Sequence, residues 1–174
     1  MSADVVKAGG VLFLAVVLQL SIMSNIDVLG GHPNLLLVTL VSVALLRGAI
    51  FGAVAGFSAG LLADTGVFGT LGFTALLLTL AGYWTGRYGE TTGRDRVHAP
   101  LRSIAAITIL YQFVALTLHF MLGDSAPARA VLLEGLFPTV LLNLLLTVPV
   151  YGICKRLLPP PEWRERAREV RLLG

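Results

Sequence analysis

Few side chains in this sequence combine a type and a spacing that could support catalysis. Asp64 and Glu134 lie at the ends of apolar segments, and His119 has no second histidine or cysteine close to it in the sequence. A proton relay would need further acidic residues in the middle of the apolar segments, and none is present there. The sequence also has no nucleophile with a base and no phosphate-cradling loop. The single Cys154 can form neither an internal disulfide nor a metal site. The sequence predicts a non-enzymatic protein that needs no cofactor and no metal.

Three polar features fall inside or beside apolar segments and have two interpretations each. The amides of Gln112 and Asn143 lie in mid-segment, where they can hydrogen-bond between helices for about 0.6 kcal/mol each; a substrate contact is the alternative. His119 is interpreted as a packing residue, with a ligand role as the alternative. The tripeptide His32-Pro33-Asn34 precedes an apolar segment, which is typical of a helix-capping turn, and an outer-face contact is the other possibility.

The composition places these residues in a membrane. The chain has 174 residues, of which 56% are hydrophobic and only 13% are charged. A soluble domain carries about a quarter charged residues, so this chain could not cover the surface of a water-soluble globule. The composition therefore excludes a soluble enzyme, a secreted disulfide module and a nucleic-acid-binding protein.

Six apolar segments predict an all-α membrane protein, a polytopic bundle of about six transmembrane helices. Four segments reach the roughly 17–25 residues that a spanning helix needs. The second and third are shorter, and the alternative is that they form a re-entrant hairpin, which leaves four spans. The segments are Val5–Met23, Asn34–Leu46, Ala49–Ala63, Val67–Trp84, Ile104–Leu122 and Leu136–Cys154.

The distribution of charge predicts the orientation. If both termini are cytoplasmic, all of the 13 basic residues except Arg129 fall on the inner side, as the positive-inside rule requires. The outer turns then carry acidic residues. We therefore expect a multi-pass protein of the bacterial cytoplasmic membrane with both termini inside, comprising one transmembrane domain (1–158) and a cytoplasmic tail (159–174).

The tail is predicted to bind the membrane surface. It begins with three prolines, which end the last helix, and continues as a short amphipathic pattern. Trp163 lies on its apolar face, whereas Arg164, Arg168 and Arg171 occupy other faces. Such a helix lies on anionic lipid, and a cytosolic partner is the alternative.

A row of glycines is the most informative pattern. Gly48, Gly52, Gly56 and Gly60 recur every four residues, and Asp64 continues the same spacing. In lipid, helices associate by close backbone approach, which small residues permit. The row predicts a central helix that crosses a neighbour steeply. The neighbour is either a helix of the same bundle or a partner helix in a docking groove, and Asp64 is expected to cap the following helix.

These residues resemble the MreD family of rod shape-determining membrane proteins, over residues 32–89. The resemblance lies in His32-Pro33-Asn34, Arg47-Gly48, the glycine row, Leu61, Asp64, Gly69 and Leu71-Gly72. The family often has aspartate after the proline, where this chain has Asn34. The resemblance implies a helical fold similar to the substrate-binding components of energy-coupling-factor transporters.

By the same resemblance, the chain is a scaffold of cell-wall elongation that binds MreC, a single-span protein with a periplasmic domain. RodA, a class B penicillin-binding protein and the actin-like MreB are further implied partners, and a homo-oligomer is possible. Helix packing or partner binding falls on Gly48, Gly52, Gly56, Gly60, Asp64, Pro33 and Asn34. The competing hypothesis is a membrane component that captures a small vitamin-type molecule for a transporter, with Gln112, His119 and Asn143 lining a polar cavity.

Overall fold

The computed structural model describes residues 2–22, 31–66, 71–92, 99–121 and 135–158. Throughout these residues the architecture is all-helical, which confirms the all-α part of the predicted fold class; the similarity to energy-coupling-factor components stays a prediction. Six helices follow one another: α1 (Ser2–Ser21), α2 (Leu35–Arg47), α3 (Ala49–Gly66), α4 (Phe73–Thr92), α5 (Ala99–Met121) and α6 (Leu136–Leu157).

Three of these helices are long and apolar enough to cross a membrane, by length and composition. They are Ala49–Gly66, Pro100–Thr117 and Leu136–Leu157. Two further apolar helices, Val5–Ser21 and Leu35–Arg47, are shorter than a membrane-spanning helix. The number of spans and the side on which the termini lie stay predictions.

The helix at the centre of the bundle is α2. Every residue from Leu36 to Leu46 is buried, since the surrounding helices cover α2 on all sides. A helix that is apolar all round is suited to such a position. The expectation that the glycine-rich α3 is the central helix was wrong: one face of α3 is buried, but Ile50, Val54 and Phe57 on its other face are exposed.

A single glycine separates α2 from α3. Gly48 has φ 101°, a left-handed conformation that side-chain-bearing residues rarely adopt. Its N–H donates to Ala44 O, and its carbonyl accepts from the N–H of Gly52. The last bond of one helix and the first bond of the next therefore meet at the same residue.

The fourth helix extends beyond its predicted end. Hydropathy marks the segment only to Trp84, yet α4 continues through the charged residues Arg87 and Glu90 to Thr92. Gly86 and Gly89 in this extension pack on the backbone around Gly48 and on Leu45. These packing contacts stabilise the helical conformation of α4 beyond the end of the apolar segment.

Candidate functional site

The glycine row of α3 packs against α4 of the same chain. Gly52, Gly56 and Gly60 are buried, and a β-carbon added at any of them would lie closer than 3.0 Å to backbone atoms of α4. The nearest of these atoms belong to Gly82, Leu78 and Ala75, respectively. The two backbones are in direct contact along this face, which is the close approach that small residues permit.

The matching glycines on α4 were missed by the sequence analysis. Gly82 faces the backbone of Gly52, and Gly86 faces the backbone of Gly48 and Ala49. Gly82 and Gly86 are four residues apart, so they repeat the spacing of the row on α3. This signal was present in the sequence but was obscured by the polar residues that follow Trp84.

Asp64 caps the start of α4. Its carboxylate accepts hydrogen bonds from the backbone N–H groups of Gly72 (2.8 Å), Thr74 (3.1 Å) and Ala75 (3.2 Å). The side chain is buried, with 6% of the residue exposed. The first N–H groups of a helix have no intrahelical partner, and a negative charge is favourable there. The structure therefore has the capping arrangement expected for this residue.

A second carboxylate caps the other end of the same helix pair. The N–H of Ala49, the first residue of α3, donates to Glu90 Oε1 at 3.0 Å, and Arg87 Nη1 lies 3.8 Å from the other oxygen of Glu90. Asp64 of α3 thus caps α4, and Glu90 of α4 caps α3. These reciprocal caps hold the α3–α4 pair at both ends.

Polar side chains from three other helices converge on the start of α2. Asn34 caps α2 by accepting from the N–H of Leu37 at 2.9 Å, and Gln19 of α1 accepts from the N–H of Leu35 at 2.8 Å. The N–H of Asn34 in turn donates to Asn143 Oδ1 of α6 at 2.8 Å. The expected capping turn at Pro33-Asn34 is therefore also a junction between helices.

Asn143 completes this junction in the interior. It is fully buried, and its Nδ2 donates to Thr108 Oγ1 of α5 at 3.2 Å. One amide therefore joins the start of α2 to both α5 and α6. This is the interhelical role expected for Asn143.

Loss of this amide should destabilise the fold. In Asn143→Ala, the Asn34 N–H and the Thr108 hydroxyl lose a buried partner, and each such loss costs about 1–3 kcal/mol. We expect a lower thermal unfolding midpoint (Tm) for the purified protein in detergent. Thr117→Val is the matched control, since the Thr117 hydroxyl is exposed and bonds only within its own helix. Equal midpoints for both variants would contradict this role.

A polar cavity of about 150 Å³ adjoins the junction. It lies at the end of the bundle where α2 and α6 begin, and it reaches the middle of α5. None of its lining residues is an aspartate, glutamate, lysine or arginine. The lining residues are Gln19, His32, Pro33, Asn34, Leu37, Thr108, Tyr111, Gln112, Thr139 and Asn143.

Most polar side chains of the cavity bond to each other or to nearby backbone, but Gln112 does not. The Thr139 hydroxyl accepts from the N–H of His32 at 3.2 Å, and the Tyr111 hydroxyl faces the Asn34 side chain. Gln112 is half-buried, and its amide makes no hydrogen bond within the part of the chain that the structure describes. The cavity therefore contains one amide whose donors and acceptor are free.

Several predicted residues cannot be placed. Glu134 and the tail residues Trp163, Arg164, Arg168 and Arg171 lie outside the described residues, as does the side chain of His119. Among the side chains that are described, no group of three histidines, cysteines or acids is arranged to hold a metal ion.

One comparison with known proteins gives a result for this chain. A family model described as rod shape-determining protein MreD matches residues 8–158. No curated protein and no solved structure matches the chain. The matched range begins at Ala8 within α1 and takes in the rest of α1 and the other five helices to the end of α6.

Proposed function

The chain belongs to the MreD family of rod shape-determining membrane proteins, and from this we propose that it is a non-enzymatic scaffold of cell-wall elongation. In this role it binds an MreC-type single-span protein and positions peptidoglycan synthesis in the cytoplasmic membrane. RodA, a class B penicillin-binding protein and MreB are the further proposed members of the assembly.

The observation that best supports partner binding is the polar cavity; the competing transporter hypothesis also predicts a cavity lined by Gln112 and Asn143, and the co-purification described below distinguishes the two. The glycine row is covered by α4, so it is not a free surface for a partner helix. The cavity remains open, and it is lined by Pro33 and Asn34, residues of the motif that resembles the family. We place the partner's contact there.

The charges support the proposed orientation of the chain. Arg47 and Lys155 lie at the ends of α2 and α6, opposite the ends that line the cavity, and Arg87 lies beside Gly86, which packs on Gly48. The positive-inside rule assigns that end to the cytoplasm, so we place the cavity on the outer side. A partner with one span and a periplasmic domain would reach it where its chain leaves the membrane. The basic tail, 159–174, would then contact anionic lipid on the inner surface.

Co-purification tests the proposal. The tagged chain is expressed in its own host, extracted in gentle detergent and purified, and the proteins that accompany it are identified by mass spectrometry. We expect the MreC-type protein and wall-synthesis enzymes in the eluate, and we expect cells depleted of the chain to lose their rod shape. A tagged six-helix membrane protein of another family serves as the control.

Two results would overturn the proposed scaffold function. One is recovery of paired ATPases with a coupling membrane subunit in place of the wall-synthesis proteins, since that would assign the chain to a transporter. The other is an unchanged rod shape after depletion.

A further inference from the structure

We infer that Gln112 is the residue of the polar cavity that recognises the partner, and that it does so by pairing with an uncharged amide group of the partner, either a main-chain peptide or an Asn or Gln side chain. This inference rests on the proposed function and adds to it a specificity-determining residue and the chemistry of the contact.

Gln112 is suited to this role because its neighbours are already engaged. The Asn143 amide bonds to Asn34 and Thr108, and the Gln19 amide bonds to the start of α2. Both amides hold helices together and leave little hydrogen-bonding capacity for a ligand. The Gln112 amide lines the same cavity with two donors and an acceptor unused.

The charge of the lining selects the kind of group that can enter. No lysine, arginine, aspartate or glutamate is among the lining residues, and the lining imidazole of His32 is exposed at the rim, so an ionised group beside Gln112 would lose water without gaining a fixed opposite charge. The primary amide of an Asn or Gln side chain is neutral and carries a donor and an acceptor side by side, and the N–H and C=O of one extended main-chain residue present the same pair. Either group can therefore form two antiparallel hydrogen bonds with Gln112, as neither a carboxylate nor an ammonium can.

The size of the cavity limits how much of the partner enters. A cavity of about 150 Å³ accommodates one benzene-sized molecule, whereas a helix with its side chains is about 10 Å wide. One side chain or one bend of backbone fits, but a helix does not. The partner thus inserts a single residue here while its transmembrane helix lies elsewhere.

Substitution of Gln112 tests the pairing with the purified MreC-type protein as the probe, both proteins being in lipid nanodiscs. We expect Gln112→Leu to weaken the measured affinity about three- to tenfold, the loss of one or two neutral hydrogen bonds. The near-isosteric Gln112→Glu should weaken it by more than about tenfold at neutral pH. Its affinity should recover as the pH falls, because a protonated carboxyl group is uncharged and again offers a donor and an acceptor. Because His32 also lines the cavity, the same pH series is run on the double variant Gln112→Glu with His32→Ala, and a purely structural role of Gln112 would not produce a recovery that persists there.

The adjacent residue provides the control. Phe113 is 59% exposed on the same helix, so Phe113→Leu should bind the partner as tightly as the native protein. A photo-crosslinking amino acid at position 112 should label the partner, whereas the same group at position 113 should not. Thermal midpoints of all variants are measured in parallel to verify that each one is folded.

The outcomes separate the two claims. If the partner binds the native protein but binds Gln112→Leu equally tightly, the proposed role of Gln112 is wrong, whereas the proposed scaffold function is unaffected. Crosslinks from position 113 but not from 112 would have the same meaning. If the partner does not bind the native protein at all, the proposed function fails and this inference fails with it.

Discussion

Gly56→Ala is expected to lower the stability of the protein by about 3 kcal/mol, because the added methyl group overpacks a backbone contact. The β-carbon would lie closer than 3.0 Å to the carbonyl group of Leu78. A flexible side chain could move aside, but the backbone of α4 is held at both ends by the caps of Asp64 and Glu90. A fall of roughly 6–12 °C in Tm is expected, and Gly56→Leu should leave no folded protein.

Gly152 offers a matched control on α6. A β-carbon added there meets no atom within 4 Å, and alanine is favoured over glycine inside a helix by about 1 kcal/mol. Gly152→Ala should therefore melt at the native temperature or slightly above it. The pair is informative because the chemical change is the same at both positions. If both variants melted together, the close α3–α4 contact would not limit stability.

Asp64→Ala is expected to have an effect of similar size through the loss of a cap. The substitution leaves three backbone N–H groups without their acceptor, of which that of Ala75 is buried and those of Gly72 and Thr74 are partly buried. An unsatisfied buried group costs about 1–3 kcal/mol, and the two partly buried groups add less than this each, so we expect a total loss of about 3 kcal/mol, seen as a lower Tm and faster amide exchange in the first turn of α4.

One further variant tests whether the charge of Asp64 matters, and a second variant at the next residue serves as the control. Asp64→Asn keeps one oxygen acceptor but points an NH₂ group at other N–H groups, so its stability should lie close to that of Asp64→Ala. Thr65→Ala changes the next residue, whose exposed hydroxyl bonds only to Leu62 O, and it should leave the midpoint unchanged. Native stability in Asp64→Ala would refute the capping role.

Features that depend on nearby residues could be predicted from the sequence, and features that depend on distant ones could not. The cap by Asp64 joins residues 8–11 positions apart, and the turn at Thr65-Gly66 made it predictable. The cap by Glu90 joins residues 41 positions apart. Nothing in the local sequence identifies Ala49 as its partner, so Glu90 was missed.

The same limit applies to the polar junction. Asn143 was expected to hydrogen-bond between helices because an amide in an apolar segment needs a partner. Its partner, the N–H of Asn34, lies 109 positions earlier, and only the folded arrangement brings them together. The cavity beside them arises from that arrangement, which is why the free amide of Gln112 could be suggested but not distinguished from that of Asn143.

The error about the central helix has a different cause. A glycine row indicates how closely two helices approach on one face, and it was taken to indicate burial on all faces. The better signal was α2 itself, in which Leu36–Leu46 contains no charged residue and is buried throughout. A uniformly apolar helix too short to span a bilayer must be sheltered by its neighbours.

The bonds at the start of α2 also constrain the order in which the helices can assemble during synthesis. A 13-residue helix is about 20 Å long, against roughly 30 Å of hydrocarbon, so α2 is a poor substrate for independent membrane insertion. The α3–α4 pair contains its own contacts and can form as soon as it leaves the ribosome. The Asn143 acceptor for α2 is synthesised 109 residues after Asn34. Until then, α2 lacks the acceptor for the N–H of Asn34, and we expect a chain cut short before α6 to be degraded faster than the full chain, which a pulse-chase measurement checks.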